Sequence, residues 1–244
     1  MGPPGVGKTL AARWLAYQLE RPLLTLDLAA VMSSFLGRTG NNIRAVLEFA
    51  RRSPTVLLLD EFDAIAKRRD DGAEVGELKR LVNVLLQAVD EWPATGVLIA
   101  ATNHPELLDR AVWRRFDRVI SFPIPSEEEI ASLIGRLTTP HHVLDRGLQG
   151  LIASALHGKS FADVVRLIYT ARRNAIIHGI PQDQSIVSAL AATLRGLDTK
   201  RRIDLALRLH DTGQSQRRIA ELTGVSRDTI RKHETEKKVR SRRR

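Results

Sequence analysis

Gly2-Pro3-Pro4-Gly5-Val6-Gly7-Lys8-Thr9 satisfies every fixed position of the pattern G-x-x-x-x-G-K-[ST]. This stretch constrains the fold more than any other, because such a loop sits between a buried strand and a helix. Its glycines let the backbone curl around a polyphosphate, with N–H groups turned inward toward the oxygens. Lys8 supplies a mobile positive charge for the outer phosphates, and the Thr9 hydroxyl suits Mg²⁺. Leu10 to Leu19 reads as the following helix, whose N-terminus favours anions, so Leu10 joins the loop as a nucleotide contact. The alternative is an ordinary loop with a surface lysine.

Only Met1 precedes the loop, so the strand that should carry it is missing from the sequence as given. We expect a natural product that starts earlier; the alternative is a sheet lacking a central strand, which would leave backbone groups unsatisfied.

Apolar runs alternate with helical patterns up to about residue 125. Pro22–Leu28, Thr55–Leu59, Gly96–Ala101 and Arg118–Phe122 read as buried strands; Asn42–Arg52, Glu77–Glu91 and Pro105–Trp113 read as helices. That alternation predicts an α/β fold with a parallel sheet covered on both faces. Ser126 followed by Glu127-Glu128-Glu129 is a capped helix start with an acidic first turn. The expected division is a nucleotide-binding core over 1–125, a helical lid over 126–198, and a basic helical module with its tail over 199–244.

Leu57-Leu58-Leu59-Asp60-Glu61 is an apolar strand ending in two carboxylates. Asp60 is suited to hold Mg²⁺, directly or through water, and Glu61 to polarise an attacking water. A strand end followed by a helix cap is the plainer alternative, weakened by the complete phosphate loop upstream.

With these motifs in place, residues 1–195 resemble the AAA+ ATPases and, within them, the AAA clade. That resemblance implies a P-loop NTPase fold and hydrolysis of ATP to ADP and phosphate, with ATP and Mg²⁺ as ligands. Ala101-Thr102-Asn103-His104-Pro105 resembles the family's sensor-1 strand end, implying that Asn103 positions the water and γ-phosphate. Leu108-Asp109-Arg110-Ala111-Val112-Trp113-Arg114-Arg115-Phe116-Asp117 resembles the second region of homology. It implies that Arg114 and Arg115 are arginine fingers reaching a neighbouring subunit's nucleotide, hence a homo-oligomer, a ring of six. A guanidinium suits this role because it stays charged and grips phosphate oxygens in a fork; an exposed helix end is the alternative.

Ser34-Phe35-Leu36-Gly37 resembles pore loop 1, implying that Phe35, Leu36 and Gly37 grip a polypeptide substrate; a buried Phe35 is the alternative. Lys67 to Gly72 resembles a second, polar pore loop. His157 to Asp163 resembles the lid segment that carries Gly-Ala-Asp in the family, with Phe161 in place of the glycine.

Charge is unevenly placed. The chain carries +10, and Lys200 to Arg244, with 15 Lys and Arg against 6 Asp and Glu, holds +9 of it. A polyanion partner is therefore expected for the tail alone. Ser215 to Lys232 resembles a helix-turn-helix: Ser215 caps a first helix, Thr223-Gly224-Val225 turns, and Ser226 caps a second. Arg227, Thr229, Arg231 and Lys232 are the expected DNA contacts. A basic hairpin packed on the ring, or bound to an acidic protein, is the alternative.

The sequence has no cysteine, which excludes disulfides and thiolate metal sites and accords with a reducing cytoplasm. Its apolar runs are too short for a membrane span. The expectation is an ATP-driven remodelling motor acting on protein through a central pore, with recruitment to DNA. The rivals are a DNA-transaction ATPase, such as a loader or transposition accessory, and a DNA-binding regulator with a defective nucleotide site.

Overall fold

A computed structural model describes residues 1–33, 39–67, 75–138, 144, 146–211 and 215–232. The chain forms two compact units, Met1–Pro123 and Ile124–Arg244.

The first unit is an α/β layer structure. Its strands are β1 (Leu23–Asp27), β2 (Val56–Asp60) and β3 (Val97–Ala100), all parallel, in the order β1-β2-β3. Register sets Asp27 beside Asp60, so both strands deliver a carboxylate at the same end. Side chains alternate across a strand, and β2 shows the consequence. Leu57 and Leu59 join Ile43, Leu47, Phe62, Val82, Leu85 and Val112 in one core, while Leu58 packs with Ala12 and Ala101 in another. The helix α1 (Lys8–Gln18) therefore covers one face of the sheet. On the other lie α3 (Thr39–Arg52) and α5 (Val75–Asp90). Burial on both faces explains why β2 is an unbroken aliphatic run instead of an alternating one.

Several local expectations are corrected. Leu28 does not end a strand but opens α2 (Leu28–Ser33), because the Asp27 carboxylate accepts the Ala30 N–H (2.9 Å) and caps a new helix. A short α4 (Ala64–Lys67) follows β2. Pro105–Trp113 is not one helix; a 3-10 turn at Pro105–Leu107 gives way to α6 (Arg110–Trp113), capped by Asp109. Arg118–Phe122 forms no strand. Among the described residues its backbone bonds only to Met1: the Met1 amine donates to the Ile120 carbonyl and the Phe122 N–H to the Met1 carbonyl, both at 2.8 Å. One residue of partner cannot sustain a ladder. Val119 and Ile120 are left exposed.

The second unit is helical throughout its described residues: α7 (Glu127–Thr138), α8 (Arg146–Ala155), α9 (Phe161–His178), α10 (Gln182–Arg195), α11 (Thr199–Asp211), α12 (Gln216–Thr223) and a last helix over 227–232. Capping boxes start α7 and α9, Ser126 with Glu129 and Ser160 with Asp163. The Ser160 hydroxyl, then the Ser160 N–H and nearby Arg166 and Lys159, hold the Asp163 carboxyl below the usual range. One core runs from Ile130 and Ile134 of α7 through Ile168, Ile186 and Leu190 to Leu209, Ile219, Leu222 and Ile230. The basic helices thus share their apolar interior with the lid helices.

A shared interior predicts shared stability. Leu209 is fully buried, so Leu209→Ala should cost about 2–5 kcal/mol. Hydrogen exchange should then accelerate in α9 and α10 together with α12; acceleration confined to residues 199–232 would contradict a common core.

Candidate active site

Three sequence motifs, widely separated along the chain, meet at the carboxyl ends of β2 and β3. The loop of residues 2–7 leads into α1 through Gly7, which sits at the helix N-cap with φ of +103° and offers no side chain to cap it. The helix-start N–H groups therefore lack a side-chain acceptor, as an anion site requires. The Lys8 ammonium turns back over the loop and donates to the Gly2 carbonyl (2.6 Å), the Pro3 carbonyl (2.8 Å) and Asn103 Oδ1 (2.6 Å). Burial pushes the Lys8 pKa down, opposed by the Asp60 and Asp63 carboxylates. Held among oxygens and partly desolvated, this ammonium is primed for phosphate.

The Thr9 hydroxyl donates to Asp60 Oδ2 at 3.0 Å. Two hard oxygens from separate motifs thus share one point. This fits Mg²⁺, which takes one or two protein oxygens and completes its shell with phosphate and water. Among the described residues no cluster of three or more His, Asp or Glu forms an all-protein cage. Glu61 is exposed and lies in the left-handed region at φ of +52°, its N–H donating to Asp60 Oδ1 at 3.0 Å. A non-glycine residue there is strained, a condition that concentrates at functional sites.

The loop glycine Gly2 has a steric reason. At φ of +147°, a Cβ there would come within 2.1 Å of the Phe122 carbonyl oxygen, and the Gly2 N–H donates to the Thr102 carbonyl at 3.3 Å. Pro4 and Gly5 are exposed, Val6 is buried, and the Leu10 side chain is exposed while its backbone belongs to the helix start.

The two arginines differ. Arg115 pairs with Asp90 and donates to the Leu86 carbonyl, both on α5 of its own chain. Arg114 is exposed at the C-cap of α6. Phe35, Leu36 and Gly37 lie outside the described residues, as do residues 68–74, which include most of the suggested second pore loop.

In the second unit the helix-turn-helix residues form a compact turn. Ser215 Oγ accepts the Arg218 N–H, Gly224 sits at φ of +66°, and Ser226 Oγ accepts the Thr229 N–H. Ile219, Leu222, Val225 and Ile230 are buried, whereas Arg227, Arg231 and Lys232 are exposed and Thr229 is half-buried.

Residues 1–124 match the family described as ATPase family associated with various cellular activities (AAA). The chain belongs to the AAA ATPase family. Residues 195–235 match the helix-turn-helix domain of resolvase. Among relatives of this AAA protein, an uncharacterised AAA family ATPase, y4kL of Sinorhizobium fredii, is 44% identical over 75% of the chain and 55% of its own length. The proteasome-activating nucleotidase of Aeropyrum pernix is 35% identical over 73% of the chain and 45% of its own. The ATP-dependent zinc metalloprotease FtsH of Acidimicrobium ferrooxidans is 34% identical over 73% and 28%. The chain thus spans about half or less of the length of these relatives. The FIGL-1 AAA domain, solved with ADP, shares the fold at a TM-score of 0.65 and 23% identity, over 82% of the chain and 72% of that structure. Among the described residues, no helix is long and apolar enough to cross a membrane.

Sequence reasoning passed over one residue here. Asp63 is buried, yet its carboxylate faces the residues that follow β3. It lies in the turn three residues after Asp60, and its partners are about forty residues away in sequence, so no local pattern marks it.

The close approach at Gly2 yields a test. Gly2→Ala should displace the loop and weaken nucleotide binding at least tenfold in a fluorescent-nucleotide titration; unchanged affinity would show that the loop tolerates a side chain there.

Proposed function

We propose that this chain is the ATP-hydrolysing part of a ring-forming AAA remodelling motor, acting on protein through a central pore and recruited to DNA by its C-terminal helices. The observation that carries the reading is the Lys8 ammonium, shared between the phosphate loop and Asn103 across 95 residues of sequence.

In this reading the loop N–H groups, Lys8 and the α1 N-terminus bind the phosphates of ATP. Thr9 and Asp60 would hold Mg²⁺, which when bound neutralises charge on the transferring phosphoryl group. Glu61 polarises the attacking water, and Asn103 orients that water against the γ-phosphate. Catalysis here is chiefly positioning plus electrostatics, since the phosphoryl group needs no covalent help from the protein.

Arg114 is the better finger of the pair. Its side chain is exposed and has no hydrogen bond or ion pair among the described residues, whereas Arg115 is engaged by Asp90 and Leu86. We assign Arg114 to the neighbouring subunit's nucleotide, and Arg115 to fixing α6 on α5. A finger supplied in trans entails an oligomer, by family likeness a ring of six. Phe35, Leu36 and Gly37 would grip the polypeptide.

For DNA, Arg227, Thr229 and Arg231 occupy the start of the last helix, with Lys232 near phosphates. The match to a resolvase helix-turn-helix also favours a second reading, in which the ring works on DNA itself. Phe35→Ala separates the two: loss of protein remodelling with DNA-stimulated turnover intact supports a motor on protein.

Glu61→Gln should keep nucleotide binding and lower turnover about a hundredfold or more. Mixing Glu61→Gln with Arg114→Ala subunits should restore part of the activity that each lacks alone; no recovery would contradict a finger acting in trans. Affinity for DNA should fall steeply with salt, and Lys232→Ala should reduce the slope of log K against log salt by about one. Binding indifferent to salt would remove the DNA assignment.

A further inference from the structure

We propose that Asp63 is a positioning residue for ATP hydrolysis, anchoring the segment after β3 so that Asn103 is held against Lys8 and the γ-phosphate site. The proposal rests on the hydrolytic reading above and adds to it a residue that acts through Asn103.

Asp63 is only 2% exposed, and a carboxylate so deep is costly unless its oxygens are bonded. Asp63 Oδ1 accepts the Thr102 hydroxyl at 2.8 Å and the Asn103 N–H at 3.1 Å. The Thr102 oxygen in turn accepts the His104 N–H at 3.0 Å. Three consecutive residues, 102 to 104, thus hang directly or at one remove on a single carboxylate oxygen. Backbone bonds bring the two strand ends together beside it: the Phe62 N–H donates to the Ala101 carbonyl (2.8 Å) and the Ala101 N–H to the Leu59 carbonyl (2.9 Å).

These bonds determine where Asn103 points. Residues 102 and 103 lie past the last bond between the two strand ends and belong to no helix or strand; the Gly2 N–H on the Thr102 carbonyl (3.3 Å) and the Asp63 carboxylate hold them. The peptide N–H of Asn103 is pinned to Asp63, and its side-chain oxygen reaches Lys8 Nζ at 2.6 Å. Asp63 therefore ties the turn that follows Asp60 and opens with Glu61 to the residue that faces the phosphates from beyond β3. A charged acceptor makes both bonds stronger than a neutral one would. An error near 1 Å in a reacting group can cost about a hundredfold in rate, so an anchor of this kind has kinetic weight.

The test compares steady-state ATP turnover and fluorescent-nucleotide affinity for the full chain and its Asp63→Ala, Asp63→Asn, Thr102→Val, Asn103→Ala and Asp63→Ala/Asn103→Ala variants. Asp63→Ala should lower kcat at least tenfold while nucleotide affinity stays within about threefold. Asp63→Asn keeps an oxygen acceptor and should recover most of that loss. Thr102→Val keeps the shape but removes the bridging hydroxyl, and should lower kcat with unchanged affinity. It also serves where Asp63→Ala fails to fold. The double variant should be no slower than the slower single variant, because both act through one group. Multiplicative losses in the double variant, equal losses of affinity and kcat, or wild-type kcat in Thr102→Val would overturn the proposal. If Asn103→Ala and Glu61→Gln both turn over at the wild-type rate, the hydrolytic reading fails first and takes the proposal with it.

Discussion

The Lys8 ammonium is the contact on which the first unit's chemistry depends. It bonds two loop carbonyls on one side and Asn103 on the other, closing the loop against the far end of β3. The Thr9–Asp60 bond does the same one residue on, joining the start of α1 to the end of β2. Together they draw two strand ends and a helix start around one small volume, in the crevice at the carboxyl ends of parallel strands where such folds bind ligands. Partial burial lowers the ammonium's proton affinity and the neighbouring carboxylates oppose that shift; phosphate oxygens would oppose it further.

Position at this site is inherited from packing. Leu57, Leu58 and Leu59 are completely buried on two faces, so β2 cannot shift without dragging both cores. Asp60 and Glu61 emerge from that fixed strand, and the strain at Glu61 is tolerated because its neighbours are over-determined. The second unit follows another rule. There the helix bearing Arg227 and Arg231 closes the same core as α9 and α10, so the basic surface is carried on a packed body instead of a tether.

Much of this was legible in the sequence because the signals were local. The β1, β2 and β3 runs were readable to within a residue or so, since buried parallel strands are continuous aliphatic stretches. The turn at Gly224 and the caps at Ser215, Ser226 and Ser126 were likewise written in residue type. What failed was non-local. Arg118–Phe122 has the composition of a strand, but a strand is a pairing, and among the described residues its backbone bonds are to Met1. Leu28 looked like strand until the Asp27 carboxylate capped α2. Arg114 and Arg115 are indistinguishable as letters; the positions of Asp90 and Leu86 on α5 separate them. Asp63 was invisible because its partners, Thr102 and Asn103, lie some forty residues away.

The claim beneath the whole account is that these converging residues split bound ATP. Phosphate release at saturating ATP, measured for the assembled protein beside its Lys8→Met variant, examines it most directly. The account predicts sustained release from the unaltered protein and almost none from the variant. Equal rates from the two, or no release from either, would contradict it.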